Sequence, residues 1–328
     1  MDISTKFMGL TIKSPIVIGS SGLTSNIETL KKIEACGAGA VILKSLFEEQ
    51  ITQEMNVNVK VYSANFSGYP EAYNYIQEHT KSNVTNDYIN LIKEAKANLT
   101  IPVIASINCI TASEWLPFVK MAEDAGADGI ELNMFILPSD ISLSHEDIER
   151  LYEDVVHIIK RATSLPISLK ISTYFSSLTR FSQKISWLGI SNLNIFNRFY
   201  QSDINIDNFT TEPAEIKSTH HEFYNTLRWT AIISEAIRCN LTAGGGVHKP
   251  EDVIKLLLAG ADTVQIVSVL YDEGLGFVVK ANELLKSWMK EKGFSSISQF
   301  RGKMSVKKNT DASAFHRVQF MKYFSGIS

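Results

Sequence analysis

One module recurs along this chain. A helix-periodic segment ends in a turn of small residues, and a short, nearly all-apolar strand follows. It appears as IEACGAGAVILKS (33–45), MAEDAGADGIELN (121–133) and LLAGADTVQIVS (257–268). Gly37, Gly126 and Gly260 stand where a helix would end in the left-handed conformation, which glycine adopts without a Cβ penalty. Strands with no polar face are those covered on both sides, as in a parallel sheet. Each strand then ends on polar residues: Lys44 and Ser45, Asn133, and Ser268.

Further strands fit the series: PIVIGSSG (15–22), IPVIASIN (101–108), LPISLKIS (165–172), GISNLNIF (189–196) and NLTAGGG (240–246). Helical patterns fall between them at 84–98, 112–125, 144–163, 175–187, 222–237 and 249–259, with another at 275–291. About eight β/α units predict an α/β fold, a closed (β/α)₈ TIM barrel whose site lies at the C-terminal ends of the strands. An open doubly wound sheet is the runner-up, but no GxGxxG follows the first strand. STKFMGLTIK alternates around Met8-Gly9 and predicts a short N-terminal β-hairpin. The whole chain, 1–328, reads as one barrel domain. Two long connections, about 46–83 and 197–221, follow strands and so belong on the active-site face. Their Tyr, Phe and Asn content predicts ordered lids.

Charge narrows the function. A net charge of −3 argues against a nucleic-acid partner. No run approaches the roughly 20 apolar residues of a membrane span, and the N-terminus lacks the pattern of a signal peptide. Three separated cysteines, Cys36, Cys109 and Cys239, fit reduced thiols of a cytoplasmic enzyme, with Cys36 and Cys239 at helix ends.

Candidate chemistry clusters at the strand ends. Lys44 and Lys170 interrupt apolar strands, and a buried ammonium needs an anionic or hydrogen-bonding partner. A shared anionic ligand and plain snorkelling are both open readings. Asn108, Asn133 and Asn194 offer carboxamides suited to an uncharged heterocycle, or to capping loops. Gly244-Gly245-Gly246 follows the seventh barrel strand and Ser268 ends the eighth, the usual place for a phosphate in barrels. Arg198 could clamp an acid group or lie on the surface. No HExxH, GxSxG or P-loop motif occurs, and His220-His221 reads as a solvated pair rather than a metal site.

With these residues in view, the chain resembles the soluble, FMN-dependent dihydroorotate dehydrogenase-like family. The likeness runs through SPIVIGSSGL, LKSLFEE, NFSGYP, ELN, SLKIS, TAGGGVHKPEDV, LLLAGADTVQIVSVL and KGFSSISQFRGK. It implies an oxidoreductase of pyrimidine biosynthesis with bound FMN, and a homodimer. It implies that Ser20, Ser21 and Gly22 lie against the flavin, that Lys44 and Ser45 meet flavin and substrate, and that Lys170 faces the flavin N1/O2 edge. Gly245, Gly246 and Ser268 would hold the phosphate. Asn65, Asn133 and Asn194 would hold a pyrimidine ring, with Asn133 also against the cofactor. The backbone of Ser67, Gly68 and Tyr69 would flank the substrate carboxylate.

The chain departs from the family at one chemically decisive place. The family's cysteine base lies three residues after the asparagine of the ELN-type motif. Here that position is Ile136, or Leu137 if the prolines are matched. Ser139 and Tyr174 are the candidate substitutes. Val267 replaces a usual glycine, and FNRFYQSDIN replaces a glycine-rich loop. Dehydrogenating a C–C bond beside a carbonyl requires a hydride to leave for flavin N5 and a base to take the adjacent proton. The hydride side is legible in the sequence and the proton side is not. Two other readings stand beside the flavoenzyme. One is a catalytically degenerate flavin-binding protein of the same fold. The other is a flavin-free barrel lyase or synthase using Lys44 or Lys170.

Overall fold

The structure, a computed structural model, describes residues 1–47, 85–108, 112–134, 136–198, 201–308 and 315. Asn65, Ser67, Gly68, Tyr69 and Cys109, and nearly all of the 46–83 connection, lie outside the described residues.

Eight parallel strands close a barrel. They are β3 (Ile16–Ile18), β4 (Ala40–Ile42), β6 (Val103–Asn108), β7 (Gly129–Asn133), β8 (Ile167–Ile171), β9 (Asn192–Ile195), β12 (Asn240–Gly244) and β13 (Thr263–Ile266). Each pairs in parallel with the next, and β13 returns to β3. A short β5 (Leu46–Phe47) extends the edge of β6 beyond the end of β4. The fold is the (β/α)₈ TIM barrel that the module predicts. Helices alternate with the strands: α1 (Ile27–Ala35), α2 (85–98), α3 (Ala112–Asp124), α4 (His145–Ala162), α5 (Leu178–Trp187), α6 (Phe223–Ile233), α7 (Pro250–Ala259), a short α8 (Ser268–Glu273) and α9 (Gly276–Lys292). The three module glycines take φ of 86°, 90° and 119°.

The N-terminal hairpin, β1 (Thr5–Phe7) and β2 (Leu10–Ile12), is antiparallel. Its turn places both Met8 and Gly9 at positive φ, as the tight primed turns require. Phe7, Met8 and Ile12 form one buried cluster with Val17, Ala40, Ile42 and Ile104. The hairpin therefore plugs one side of the barrel floor. Gly129 opens β7 against this plug, where a Cβ would stand 2.7 Å from Met8 Cε. The Gly9 N–H donates to Asn240 Oδ1 at 3.0 Å and ties the turn to the start of β12.

The α4 helix shows why the outer layer forms. A capping box at Ser144 and Asp147 starts it, and Ile148, Tyr152, Val155, Val156 and Ile159 make a buried stripe. Burying each such side chain contributes roughly 1.5–3 kcal/mol.

Three details differ from the sequence reading. The helix expected to 237 ends at Ile233, because the Ser234 hydroxyl donates to Ala259 O at 3.1 Å and the chain turns. The 197–221 connection carries an antiparallel hairpin, β10 (Ser202–Asn205) and β11 (Thr210–Pro213), that stands out into solvent with Phe209 89% exposed. Cys36 does end a helix, but Cys239 directly precedes β12. Burial pushes the Cys239 thiol up to about 12.

Candidate active site

Inward-facing residues of adjacent strands form two polar tiers. Strand register sets Asn133 beside Lys170 and Lys170 beside Asn194. One step deeper, Ser106, Glu131, Ser168 and Asn192 follow in the same way. Side chains two apart on a strand share a face, so both tiers point into the barrel. Polar residues in a barrel interior need partners, and most have them here.

Ser20, just past the end of β3, accepts the Ser45 backbone N–H on its Oγ at 2.7 Å, and the two hydroxyl oxygens are 2.9 Å apart. Ser45 Oγ lies 2.7 Å from Ser106 Oγ and accepts from Asn133 Nδ2 at 3.3 Å. Tyr88 of α2 closes the chain from behind: its hydroxyl donates to Ser106 O at 3.0 Å and accepts the Ser106 N–H at 2.8 Å. Burial raises the Tyr88 phenol, so it stays protonated. On the other side, Asn197 Nδ2 donates to Asn133 Oδ1 at 2.5 Å. Five strands or their exits, β3, β4, β6, β7 and β9, are thus joined by side-chain hydrogen bonds.

Glu131 is fully buried, and burial raises its carboxyl above the usual range against the opposing pull of Lys170 and Asn194. Asn194 Nδ2 donates to Glu131 Oε2 at 2.7 Å.

Above these tiers a cavity of about 180 Å³ opens at the C-terminal ends of β8, β9, β12 and β13. Ser20, Lys170, Gly245, Gly246 and Ser268 all line it. Gln265 lines it too, with its Nε2 buried and unpartnered among the described residues. Gly246 has φ of 73°, and a Cβ there would stand 2.1 Å from Phe223 N. Only glycine lets the β12 exit pass under the start of α6. The Ser218 N–H donates to Ser268 Oγ at 3.0 Å, so the end of the 197–221 connection reaches this cavity. A second cavity of about 190 Å³ shares the wall formed by Phe196, Asn197 and Arg198 and includes Tyr174.

Arg198 is held by groups of its own chain. Its Nε lies 3.1 Å from Glu222, and its Nη1 donates to the carbonyls of Glu215 and Ile216 at 2.9 Å. His221 is exposed as expected, but His220 is turned inward. It lies 3.1 Å from Asp252 and stacks on Phe223. No group of three or more metal-ligating side chains forms among the described residues.

Other predicted positions are not among the residues that line the cavity. Ser21 caps the 3₁₀ turn Gly22–Thr24. The Lys44 side chain is exposed, and its N–H donates to Thr24 O at 3.3 Å. Ser139 is exposed in coil, with its N–H on Leu137 O. Ile136 packs half-buried against the main core, and Leu137 is exposed. Asn108 is buried at the end of β6. Sequence reasoning missed Gln265, Asn197, Ser106 and Glu131. The signal for Glu131 and Gln265 was a polar residue inside an apolar strand.

Comparison with known proteins identifies the family. The family profile described as dihydroorotate dehydrogenase matches residues 2–289. The catalytic subunit of dihydroorotate dehydrogenase B (NAD(+)) from Thermoplasma volcanium is 26% identical, over 92% of this chain and 98% of its own length. Dihydroorotate dehydrogenase A (fumarate) from Limosilactobacillus reuteri is 25% identical, over 83% and 89%. The chloroplastic dihydropyrimidine dehydrogenase (NADP(+)) of Arabidopsis thaliana is 25% identical, over 92% and 76%. With its eight-stranded barrel and a match across nearly the whole chain, the protein belongs to the dihydroorotate dehydrogenase family of oxidoreductases.

Proposed function

We propose that the chain is an FMN-dependent oxidoreductase acting on the CH–CH bond of a small planar, pyrimidine-like substrate. Dihydroorotate is the leading candidate. The observation that carries this reading is the single cavity that gathers Lys170 with Gly245, Gly246 and Ser268. Its residues suit the cofactor. Gln265 Nε2 is a buried donor in need of an acceptor, and Gly245 and Gly246 line the same cavity, where their backbone N–H groups would serve a phosphate.

Bound FMN would supply the hydride-accepting ring. Lys170 would place a cation at the ring edge that becomes anionic on reduction. Ser20 and Ser45 would line the ring, Ser21, Gly22 and Lys44 would flank it, and Ser268 would hold the phosphate. Asn133 and Asn194, with Asn65 and the backbone of Ser67, Gly68 and Tyr69, would hold the substrate. Ser139 is the candidate to take the proton, with Tyr174 as the alternative. The electron acceptor belongs to the same proposal: the relatives' names give NAD(+) and fumarate. A cytoplasmic homodimer completes the reading. No described helix is long and apolar enough to cross a membrane.

Ile136 favours a second reading. It lies three residues after Asn133, is packed on the core and can take no proton. That fits a protein that keeps the barrel and flavin but has lost turnover. Anaerobic titration of the FMN-loaded protein with dihydroorotate separates the two. Bleaching of the flavin absorbance supports the enzyme; an unbleached spectrum with bound ligand supports the degenerate protein.

A further inference from the structure

Glu131 and Asn194 are both fully buried in the barrel interior. They share one hydrogen bond, from Asn194 Nδ2 to Glu131 Oε2 at 2.7 Å. The other oxygen of each, Glu131 Oε1 and Asn194 Oδ1, is buried with no partner among the described residues. Leaving a buried acceptor unpaired is unfavourable, and two acceptors cannot satisfy each other. A single proton changes that. Carried on Glu131 Oε1, it leaves Oε2 free to accept from Asn194 and makes Oε1 a donor for an amide oxygen. An acid and an amide are complementary in this way; a carboxylate and an amide are not.

We propose that Glu131 is held as a neutral carboxylic acid and acts as a specificity-determining positioning residue for Asn194. It engages both ends of the carboxamide, which leaves the second amide N–H of this fully buried residue as its one remaining group for a ligand. The site then selects a ligand with a carbonyl or ring-nitrogen acceptor at that point and disfavours one presenting a donor. This ligand preference rests on the reading that Asn194 faces the substrate; the protonation of Glu131 does not.

The surroundings agree. Two titratable groups act on Glu131, Lys170 from β8 and Tyr88 from α2. Lys170 favours the ionised form and a neutral Tyr88 does not oppose the acid. Burial acts the other way and outweighs Lys170, so the carboxyl lies above its ordinary range. Its in-register neighbours Ser106 and Ser168 carry no charge.

Infrared difference spectroscopy of the full-length protein against Glu131→Gln at neutral pH tests the proton directly. The expected result is a protonated-carboxyl carbonyl stretch that is lost in the variant. Loss of carboxylate bands instead would overturn the proposal, whatever the substrate proves to be. Orotate binding to the FMN-loaded protein, read from the flavin spectrum, tests the specificity. Glutamine keeps both a donor and an acceptor toward Asn194, so Glu131→Gln should bind within about threefold of the native protein, whereas Glu131→Leu should bind at least about tenfold more weakly. The native affinity should fall as pH rises through ionisation of Glu131, and the Glu131→Gln profile should stay flat. A tenfold loss in Glu131→Gln with a flat native profile would contradict the specificity role. A surviving carboxyl band with no orotate binding to either protein would reject the substrate reading and leave the neutral acid supported.

Discussion

Asn197 donates its Nδ2 to Asn133 Oδ1 at 2.5 Å, across the mouth of the barrel from the exit of β9 to the end of β7. With the bond from Asn133 Nδ2 to Ser45, this fixes which amide face Asn133 turns to a ligand. Replacing Asn197 with Ala should therefore weaken orotate binding about tenfold, which is the effect of about 1.4 kcal/mol. Fold stability should change little, since Asn197 is only half-buried. Titration of the flavin spectrum with orotate and urea unfolding check the two halves.

The close passage of Gly246 beneath α6 makes it intolerant of any side chain. Gly246→Ala would drive a Cβ into the Phe223 backbone at a φ of 73°. The α6 start must shift, and with it Ser218 and the pocket at Ser268. The expected outcome is a protein that folds but loses FMN on gel filtration, read as the ratio of flavin to protein absorbance.

Met8 should matter to stability and not to chemistry. It plugs the floor, at the opposite end of the barrel from the cavity. Met8→Ala should cost about 2–5 kcal/mol, as large-to-small core changes do. Urea unfolding measures this, with FMN content unchanged in the folded fraction.

Stability should depend on pH through Glu131. Its folded carboxyl lies above the ordinary glutamate value of 4.5. Its contribution is therefore fully present below the unfolded value and is lost as pH rises through the folded one. Between those points the native state holds the extra proton, and stability should fall by up to about 1.4 kcal/mol per pH unit. Comparing the pH slopes of unfolding for the native protein and Glu131→Gln isolates this term, and a slope unchanged by the substitution contradicts it.

The base question has its own test. Ile136 stands where the family's cysteine is expected, so Ile136→Cys should raise flavin reduction by dihydroorotate at least about a hundredfold, the lower end of the usual range for general-base catalysis. If Ser139 already serves as the base, Ser139→Ala should lower the native rate by a similar factor. Stopped-flow flavin reduction reads both.

The barrel was legible in the sequence because its signals are local. Apolar runs such as PIVI and AVIL, and glycines such as Gly260, carry strand, cover and helix end within a dozen residues. The strand-end residues Ser20, Lys170, Gly245, Gly246 and Ser268 followed from the family likeness and from position, and they meet in one cavity. What stayed hidden depends on partners far apart in the chain. Asn197 gains its role from Asn133, 64 positions away, and Glu131 from Asn194, 63 positions away. Nothing local distinguishes Asn197 from other loop polar groups, and the one local signal at Glu131, a polar residue inside an apolar strand, names no partner. The exposed hairpin at Ser202–Pro213 was missed for a related reason: its strands have no buried face, so no alternation marks them.

The visible absorption spectrum of the purified protein, with the released chromophore identified, tests the central claim most directly. A flavin spectrum is expected, at purification or after reconstitution, with FMN as the extracted or incorporated cofactor. A colourless protein that takes up no added FMN would contradict it, and borohydride trapping of a carbonyl substrate on Lys44 or Lys170 would then point to a lysine-dependent barrel instead.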